Sequence, residues 1–385
     1  MQNKKVMTLY KSIYLRCVRS ASRFSFQKHN KLIFLLSFPS TSEYLLDELY
    51  EKYAHRMVIC YTSNATNLAK KYEAKGCQIF NLDSFDTVLR KIAPLLKSAR
   101  MILCDNYYAI LGGIDFSDKT KIVQIWHANG AIKKFGLEAE YTKKNTQLDK
   151  KRYQQVYSKF THYVVSSEFM ADIFSKSYHK SINVLPFGYP LTDIYFDEHY
   201  RKNVFNNFER DNPKRKKIAL YVPTYRESET NNPLDIDFIQ SNLGNDWLFI
   251  IHPHPHDRVM ERAINKMQRE HSALYTWSLT DLLFVSDCIV TDYSSVPFEY
   301  SLANPQGKII YFCFDLEEYN ETVGIQDDFF KENLANIADS NESLLKKIIG
   351  ERENDFCSFN KKWNSFVNGT AVKQLIEWID KQYED

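Results

Sequence analysis

Short apolar runs alternate with helical patterns along most of this chain after residue 30. Continuous apolar runs with polar or small residues at both ends are typical of strands buried on both faces of a sheet. Between these runs, apolar residues recur at helical spacing, and Ser42, Ser63 and Ser84 stand where a capping residue would open each helix. The predicted strands are 31–38, 56–61, 76–81, 99–104, 121–126, 162–166 and 183–185, and the predicted helices are 42–53, 63–75, 84–98, 143–160 and 168–175.

A second series of the same kind follows a charged stretch, residues 191–216, which contains Pro213 and shows little periodicity. Its predicted strands are 217–222, 247–252, 288–291 and 308–312, and its predicted helices are 235–241, 258–271, 279–286, 297–302 and 371–383. The rhythm of strand and helix predicts parallel, doubly wound sheets. We therefore expect an α/β fold with two Rossmann-like halves facing a cleft. We expect an N-terminal helical segment at 1–29, a first Rossmann-like domain at 30–195, a second at 210–350 and a C-terminal helix at 360–385.

Composition fits two globular domains, because the chain has 385 residues, of which 44% are hydrophobic and 25% charged. Seven cysteines are scattered without CxxC or Cys/His spacing, which argues against structural zinc and favours a reducing compartment. Apolar runs such as 32–36 are far shorter than the ~18 residues of a spanning helix. No signal peptide is readable. These features favour a soluble or peripheral protein.

Charge is distributed unevenly although the net charge is only +2. Eight basic residues precede the first acidic one, Glu43, and the rest of the chain has 42 basic against 48 acidic residues. On a helical wheel the first 29 residues separate into an apolar side and a basic side, as an amphipathic helix lying in an anionic membrane surface requires. The apolar side holds Val6, Leu9, Tyr10, Ile13, Tyr14, Cys17, Ala21 and Phe24, and the basic side holds Lys4, Lys5, Lys11, Arg16, Arg19 and Arg23. The alternative is a first helix packed on its own domain with a solvated basic face.

Binding to nucleic acid is not expected, since the remainder of the chain is acidic and carries no RNA- or DNA-binding motif.

Four segments place chemistry-bearing residues where ligands bind in open parallel sheets, beyond the carboxyl ends of strands. His127 follows the strand 121–126, and Gly130 would let the backbone approach a ligand closely. Arg226 follows the strand 217–222, and its planar fork suits a diphosphate.

The third segment has alternating histidines, His252, His254 and His256, after the strand 247–252. They could hold a metal, but no Asp, Glu or Cys nearby completes a familiar ligand set, so donation to phosphate or general base catalysis is favoured. In the fourth, Ser294 and Ser295 open the helix 297–302, whose free N–H groups could bind phosphate. The chain has no GxGxxG, GxxxxGK[ST] or GxSxG motif, which disfavours dinucleotide oxidoreductases, P-loop NTPases and α/β-hydrolases.

Several of these motifs occur together, in the same order, in one known family. They are Trp126-His127-Ala-Asn-Gly130 with Lys133-Lys134-Phe-Gly136, Tyr221-Val-Pro-Thr-Tyr-Arg226, His254-Pro255, Leu282-Leu283 through Ser286-Asp287 to Thr291-Asp-Tyr-Ser-Ser295, and Asp315-Leu-Glu-Glu-Tyr319. Over about residues 100–320 the sequence resembles the CDP-glycerol glycerophosphotransferase family of bacterial wall teichoic acid synthesis. It departs from that family at Ala128-Asn129, where Gly-Thr is usual, and at His252, where Lys or Arg is common.

The resemblance implies a GT-B fold that binds its nucleotide mainly through the C-terminal half. It also implies peripheral attachment to the cytoplasmic face of the cell membrane. A chain of this length resembles the primase, which transfers glycerol phosphate from CDP-glycerol to undecaprenyl-diphosphate-linked N-acetylmannosaminyl-N-acetylglucosamine and releases CMP. A polymerase or second-unit transferase of the same family, or a GT-B glycosyltransferase that uses a sugar nucleotide, is the alternative.

For the site, the resemblance implies that His127 is the base and that His254 stabilises the diphosphate, although the two roles could be exchanged. Arg226, Ser294 and Ser295 would hold the leaving phosphate in place of a metal, so neither a cofactor nor a metal is expected. The other expected binding residues are Ala128, Asn129, Gly130, Ala131, Gly188, Pro223, Thr224, His252, Pro253, Thr291, Asp292 and Glu299.

Overall fold

The computed structural model describes residues 2–24, 30–224, 233–253, 273–327, 329–333, 336–352 and 355–384. The chain divides into two compact units. The first comprises residues 1–129, 135–193 and 365–385, and the second comprises residues 130–134 and 194–364. In this division the strip 130–134 and residues 194–209 belong to the second unit, and the C-terminal helix belongs to the first.

The first unit is built on a parallel seven-stranded sheet with the order β3-β2-β1-β4-β5-β6-β7. Its strands are β1 (Leu32–Leu36), β2 (Met57–Tyr61), β3 (Gln78–Asn81), β4 (Met101–Cys104), β5 (Lys121–Gln124), β6 (His162–Val164) and β7 (Val184–Leu185). Its helices are α1 (Gln2–Ser22), α2 (Pro39–Tyr53), α3 (Thr66–Ala74), α4 (Phe85–Thr87), α5 (Ala93–Ser98), α6 (Glu140–Lys143), α7 (Gln147–Tyr157), α8 (Glu168–Tyr178) and the C-terminal α17 (Ala371–Glu384). A π-helical turn, Val88–Ile92, joins α4 to α5.

Burial on both faces explains why three strands of this sheet, β1, β2 and β4, read as unbroken apolar runs. Every residue of β1 and β2 is buried, and so is every residue of β4. The helix α17 joins this core through Val372, Leu375 and Ile379. Its N-terminus is capped by the Asp193 carboxylate, which accepts the N–H groups of Ala371 and Val372 at 2.9 and 2.8 Å.

The helix α1 packs on the first unit by one side and leaves apolar side chains of another side exposed. Val18 is fully buried against Gly113. A Cβ added to Gly113 would stand only 2.9 Å from the Val18 side chain. Arg152 of α7 donates to the carbonyl of Thr8 and to the hydroxyl of Ser12. Large apolar side chains of the segment remain exposed: Met7, Leu9, Tyr10, Ile13 and Phe24. No helix in the described ranges is both long enough and apolar enough to cross a membrane.

The second unit contains a five-stranded parallel sheet in the order β12-β11-β10-β8-β9. Its strands are β8 (Lys217–Val222), β9 (Trp247–Ile251), β10 (Cys288–Thr291), β11 (Lys308–Phe312) and β12 (Ile337–Ala338). Its helices are α9 (Glu198–Asp211), α10 (Ile236–Leu243), α11 (Leu279–Val285), α12 (Val296–Ala303), α13 (Leu316–Thr322), α14 (Phe329–Glu332), α15 (Asn341–Ile349) and α16 (Cys357–Trp363). The predicted α/β fold with parallel sheets is confirmed.

Some local predictions were wrong. Ser42 does not cap a helix, because α2 begins three residues earlier with Pro39 in its first turn, where proline is favoured. The predicted helix 143–160 is shorter than expected: α7 begins at Gln147, where the Thr146 hydroxyl accepts the Asp149 N–H as a cap, and it ends at Tyr157. The charged stretch 191–216, which shows little periodicity and for which no helix was predicted, contains α9. The predicted helix 258–271 lies outside the described residues.

Candidate functional site

The first unit places His127 just beyond the carboxyl end of β5 (Lys121–Gln124), half-buried. The residue before it, Trp126, has a left-handed backbone with φ of 61°. Such a conformation costs a bulky residue on the order of 1–3 kcal/mol and persists only where neighbouring contacts enforce it. Here the buried Gln124 side chain accepts the Trp126 N–H at 3.0 Å and donates to the carbonyl of Asn106 at 3.2 Å. The chain therefore turns sharply at Trp126, and this turn sets the direction of His127.

Aromatic rings and the Asp105 carbonyl contact the His127 imidazole. The Phe38 ring stacks on it with centroids 3.7 Å apart and planes 8° apart, and the indole of Trp126 lies at 4.3 Å. Nδ1 is 2.8 Å from the backbone carbonyl oxygen of Asp105. A carbonyl oxygen only accepts hydrogen bonds, so the proton of the neutral ring stays on Nδ1 and Nε2 is the nitrogen that can take up a proton. This tautomer suits a general base.

The carboxylate of Asp105 ties this part of the site together. One oxygen accepts the N–H groups of Ser37 and Phe38, both at 2.8 Å, and the hydroxyl of Ser42 at 3.2 Å, while the other accepts the Tyr108 hydroxyl at 2.6 Å. Burial raises the pKa of Asp105 to about 6, and these hydrogen bonds oppose the shift. Donors bind both oxygens of Asp105, which is the pattern expected of an ionised carboxylate.

Three other predicted residues of the first unit lie at the same sheet edge. Ala128 is half-buried beside His127, and Asn129 is buried with its carbonyl accepting the Ser166 hydroxyl at 2.5 Å. Gly188, with φ of +86°, donates its N–H to the carbonyl of Val165. Its missing side chain leaves room for the backbone of residues 366 and 367, to which an added Cβ would come within 3.2 Å.

In the second unit, predicted residues follow the carboxyl ends of three neighbouring strands. Pro223 and Thr224 follow β8, His252 and Pro253 follow β9, and the segment 292–295 follows β10. His252 donates its backbone N–H to the Tyr221 carbonyl, and burial lowers the pKa of its imidazole. The neutral form of His252 is therefore favoured.

Thr291 and Asp292 bind backbone groups of this edge. The Thr291 hydroxyl donates to the Val222 carbonyl at 2.7 Å. The buried Asp292 carboxylate accepts the N–H groups of Thr224 and Tyr293 at 2.9 and 2.6 Å. These contacts join the segments that follow β8 and β10, so both side chains help to shape the edge.

Ser294 and Ser295 are half-buried at the N-terminus of α12 (Val296–Ala303). The Ser294 hydroxyl accepts the Val296 N–H at 3.3 Å. Pro297 lies in the first turn, as predicted. A helix N-terminus with adjacent hydroxyls favours negative charge, so this end of α12 is chemically suited to a phosphate.

Glu299 is buried one turn further along α12. Its carboxylate accepts the Tyr195 hydroxyl at 2.9 Å. Burial raises the pKa of Glu299 to about 7, although the hydrogen bond from Tyr195 opposes the shift. Near neutral pH this carboxyl is present in both its protonated and its ionised form, so it can donate as well as accept a hydrogen bond.

Gly130 and Ala131 are buried in the strip 130–134, which joins the second unit. A Cβ on Gly130 would stand 2.5 Å from the Phe298 ring, so only glycine fits there. Lys133 forms an antiparallel bridge with Ile325, and Lys134 donates to the Asp327 carboxylate at 2.8 Å.

Two predicted residues that bear much of the chemistry, Arg226 and His254, lie outside the described residues, as does His256. Their roles, and the alternative of a metal held by the three histidines, therefore stay predictions. Sequence reasoning missed Asp105, Phe38 and Gln124, which hold His127. A signal existed for Asp105, a charged residue directly after an apolar strand.

Comparison with known proteins gives matches over almost the whole chain. A family model described as CDP-Glycerol:Poly(glycerophosphate) glycerophosphotransferase matches residues 19–381. The chain is 31% identical to the teichoic acid glycerol-phosphate primase of Bacillus subtilis, over 98% of this chain and 99% of that protein. It is 32% identical to the teichoic acid ribitol-phosphate primase of Bacillus spizizenii, over 74% of this chain and 75% of that protein. A structure of the wall teichoic acid polymerase TagF matches with a TM-score of 0.73 at 17% identity, over 99% of this chain and 97% of that one.

Proposed function

This chain belongs to the CDP-glycerol:poly(glycerophosphate) glycerophosphotransferase family, and from that premise we propose that it is a glycerol-phosphate primase. The family resemblance predicted from the sequence is confirmed, and the protein is a transferase enzyme of teichoic acid synthesis. The proposed reaction moves glycerol phosphate from CDP-glycerol to undecaprenyl-diphosphate-linked N-acetylmannosaminyl-N-acetylglucosamine. The observation that carries the primase assignment is similarity to a glycerol-phosphate primase over 98% of this chain.

In the proposed reaction, a hydroxyl oxygen of the acceptor attacks the glycerol-bearing phosphorus. The phosphorus–oxygen bond to the CMP phosphate breaks, and that phosphate leaves with the bonding electrons as CMP. The hydroxyl proton passes to Nε2 of His127, the nitrogen that the hydrogen bond from Nδ1 to Asp105 leaves able to accept it. General base catalysis of this kind contributes about 10²–10⁴-fold.

We assign the donor to the second unit. Ser294, Ser295 and the N-terminus of α12 would bind the leaving phosphate, since charge moves onto it during the reaction. The sequence assigns Arg226 and His254 to the same diphosphate.

We also propose that α1 attaches the enzyme to an anionic surface at the cytoplasmic face of the membrane. The exposed apolar side chains of α1 and the turn after it, among them Leu9, Ile13 and Phe24, would enter the interface, and the exposed Arg16 and Arg23 would meet acidic headgroups. Each such charge contributes on the order of 1 kcal/mol near the surface.

Vesicle sedimentation tests this attachment. Changing Arg16, Arg19 and Arg23 to Glu should release the protein from anionic vesicles, and salt should weaken binding of the unchanged protein. A matched control changes three exposed basic residues of the second unit to Glu: Lys202, Arg210 and Lys214. The control should still sediment. Equal sedimentation of both variants would contradict the proposal.

A donor panel tests the reaction. The purified enzyme, given a short-chain lipid-linked disaccharide, should release CMP from CDP-glycerol much faster than from CDP-ribitol. It should release no UDP from UDP-sugars. Preference for CDP-ribitol would instead indicate a ribitol-phosphate primase, like the Bacillus spizizenii relative. Release of UDP would indicate a glycosyltransferase.

A further inference from the structure

Asp105 occupies the middle of the carboxyl edge of the first sheet, directly after β4. It is completely buried, and its carboxylate accepts the N–H groups of Ser37 and Phe38 from the turn that follows β1. On its other side the Tyr108 hydroxyl donates to it at 2.6 Å. One side chain therefore fixes the turn after β1 against the turn after β4.

Both of these turns contact the His127 ring. The turn after β1 provides the Phe38 ring, stacked at 3.7 Å, and the turn after β4 provides the Asp105 carbonyl, 2.8 Å from Nδ1. The stacked ring restricts rotation of the imidazole out of its plane. The carbonyl determines which nitrogen carries the proton.

We propose that Asp105 is the positioning residue of this enzyme, holding Phe38 and its own carbonyl where together they fix the orientation and tautomer of His127. It does not touch substrate, and it acts through His127 alone. The predicted effect of Asp105 on turnover rests on the proposed function, in which His127 is the base. The tautomer itself does not depend on which reaction is catalysed.

The hydrogen bonds of Asp105 suggest which substitutions to compare. Asp105→Asn keeps one oxygen for the N–H groups of Ser37 and Phe38, and its amide would donate to the Tyr108 oxygen, which can also accept. Asp105→Leu has similar volume but removes the acceptor of the Ser37 and Phe38 N–H groups. We therefore expect Asn to preserve the position of His127 and Leu to lose it.

The test reads the tautomer directly by ¹⁵N NMR of histidine-labelled protein, with the His127 signals assigned from a His127→Gln sample. In the unchanged enzyme and in Asp105→Asn, Nδ1 should be the protonated nitrogen. In Asp105→Leu, the two tautomers should both be populated. The kcat should fall at least 10-fold in Asp105→Leu and less than 3-fold in Asp105→Asn, with the KM for CDP-glycerol within about twofold in both.

If Asp105→Leu does not fold, Phe38→Leu provides the second test of the proposal. It removes the stacked ring but keeps the backbone N–H that Asp105 binds, so kcat should fall about 3–10-fold with KM unchanged. The proposal is overturned if the unchanged enzyme carries the proton on Nε2, or if folded Asp105→Leu keeps both the Nδ1–H tautomer and its kcat. It is also overturned if Phe38→Leu matches the unchanged enzyme in both spectrum and kcat. A wrong assignment of the proposed function would give a different result. The His127 tautomer would still change in Asp105→Leu, but His127→Gln would keep its turnover.

Discussion

Replacing Glu299 by Gln should stabilise the second unit at neutral and alkaline pH and have little effect in acid. Glu299 is buried in α12, where burial raises its pKa from 4.5 to about 7 against the opposing hydrogen bond from Tyr195. A carboxyl with a raised folded-state pKa binds its proton more tightly in the folded protein. Its contribution is therefore fully present below pH 4.5 and is lost as pH rises through 7.

The size of this effect follows from the shift. One pKa unit corresponds to about 1.4 kcal/mol, so the unchanged protein should lose on the order of 3 kcal/mol of unfolding free energy between pH 4.5 and pH 8 through this group. Gln has the same shape and does not titrate, and its carbonyl can accept the Tyr195 hydroxyl. The difference between the two proteins isolates Glu299, because every other titrating group is common to both.

Thermal unfolding of both proteins at pH values from 4.5 to 8 measures this difference. In a unit of 150–250 residues, 1 kcal/mol moves Tm by about 2–4 °C, so Glu299→Gln should gain up to roughly 10 °C at pH 8 and almost nothing at pH 4.5. Glu209→Gln, the same change at an exposed position of α9, should show no such pH trend. A Tm difference that stays constant with pH, or a Gln variant less stable at every pH, would refute the reasoning.

Three further variants test other parts of the structure. Gly136→Ala should cost on the order of 1–3 kcal/mol in denaturant unfolding, because φ is +62° there and the new Cβ would meet the Ser177 carbonyl oxygen at 2.6 Å; unchanged stability would contradict this. Asp193→Ala should cost about 0.5–2 kcal/mol, since it removes the cap of α17, and an unchanged unfolding midpoint would argue against the cap. Changing Ser294 and Ser295 together to Ala should weaken CDP-glycerol binding and also lower kcat, as titration and turnover will show, whereas normal values of both would place the phosphate elsewhere.

The strands were predictable because parallel strands covered on both faces leave a local signal, an apolar run between polar stops. Strand order was not predictable, because β1 pairs with β4 through contacts between residues about 70 positions apart. The strip 130–134 carries no periodicity, so nothing local indicated that it joins the second unit.

Some residues of the candidate site could likewise be predicted from the sequence, and others could not. His127, Ser294 and Ser295 could be found because chemically distinctive residues followed predicted strands. Asp105 and Gln124 bind backbone groups, and the backbone partners of Asp105, at Ser37 and Phe38, lie far away along the chain. Such contacts become visible only when the sheet brings the turns together.

The mass of the product formed on a lipid-linked disaccharide tests the central claim most directly. With excess CDP-glycerol, the enzyme should convert the acceptor to a product carrying a single glycerol phosphate and release one CMP for each acceptor. His127→Ala should lower this turnover at least ~100-fold, while His55→Ala, an exposed histidine ahead of β2 at the opposite edge of the first sheet, should not change it. A ladder of longer products, or full activity in His127→Ala, would contradict the account.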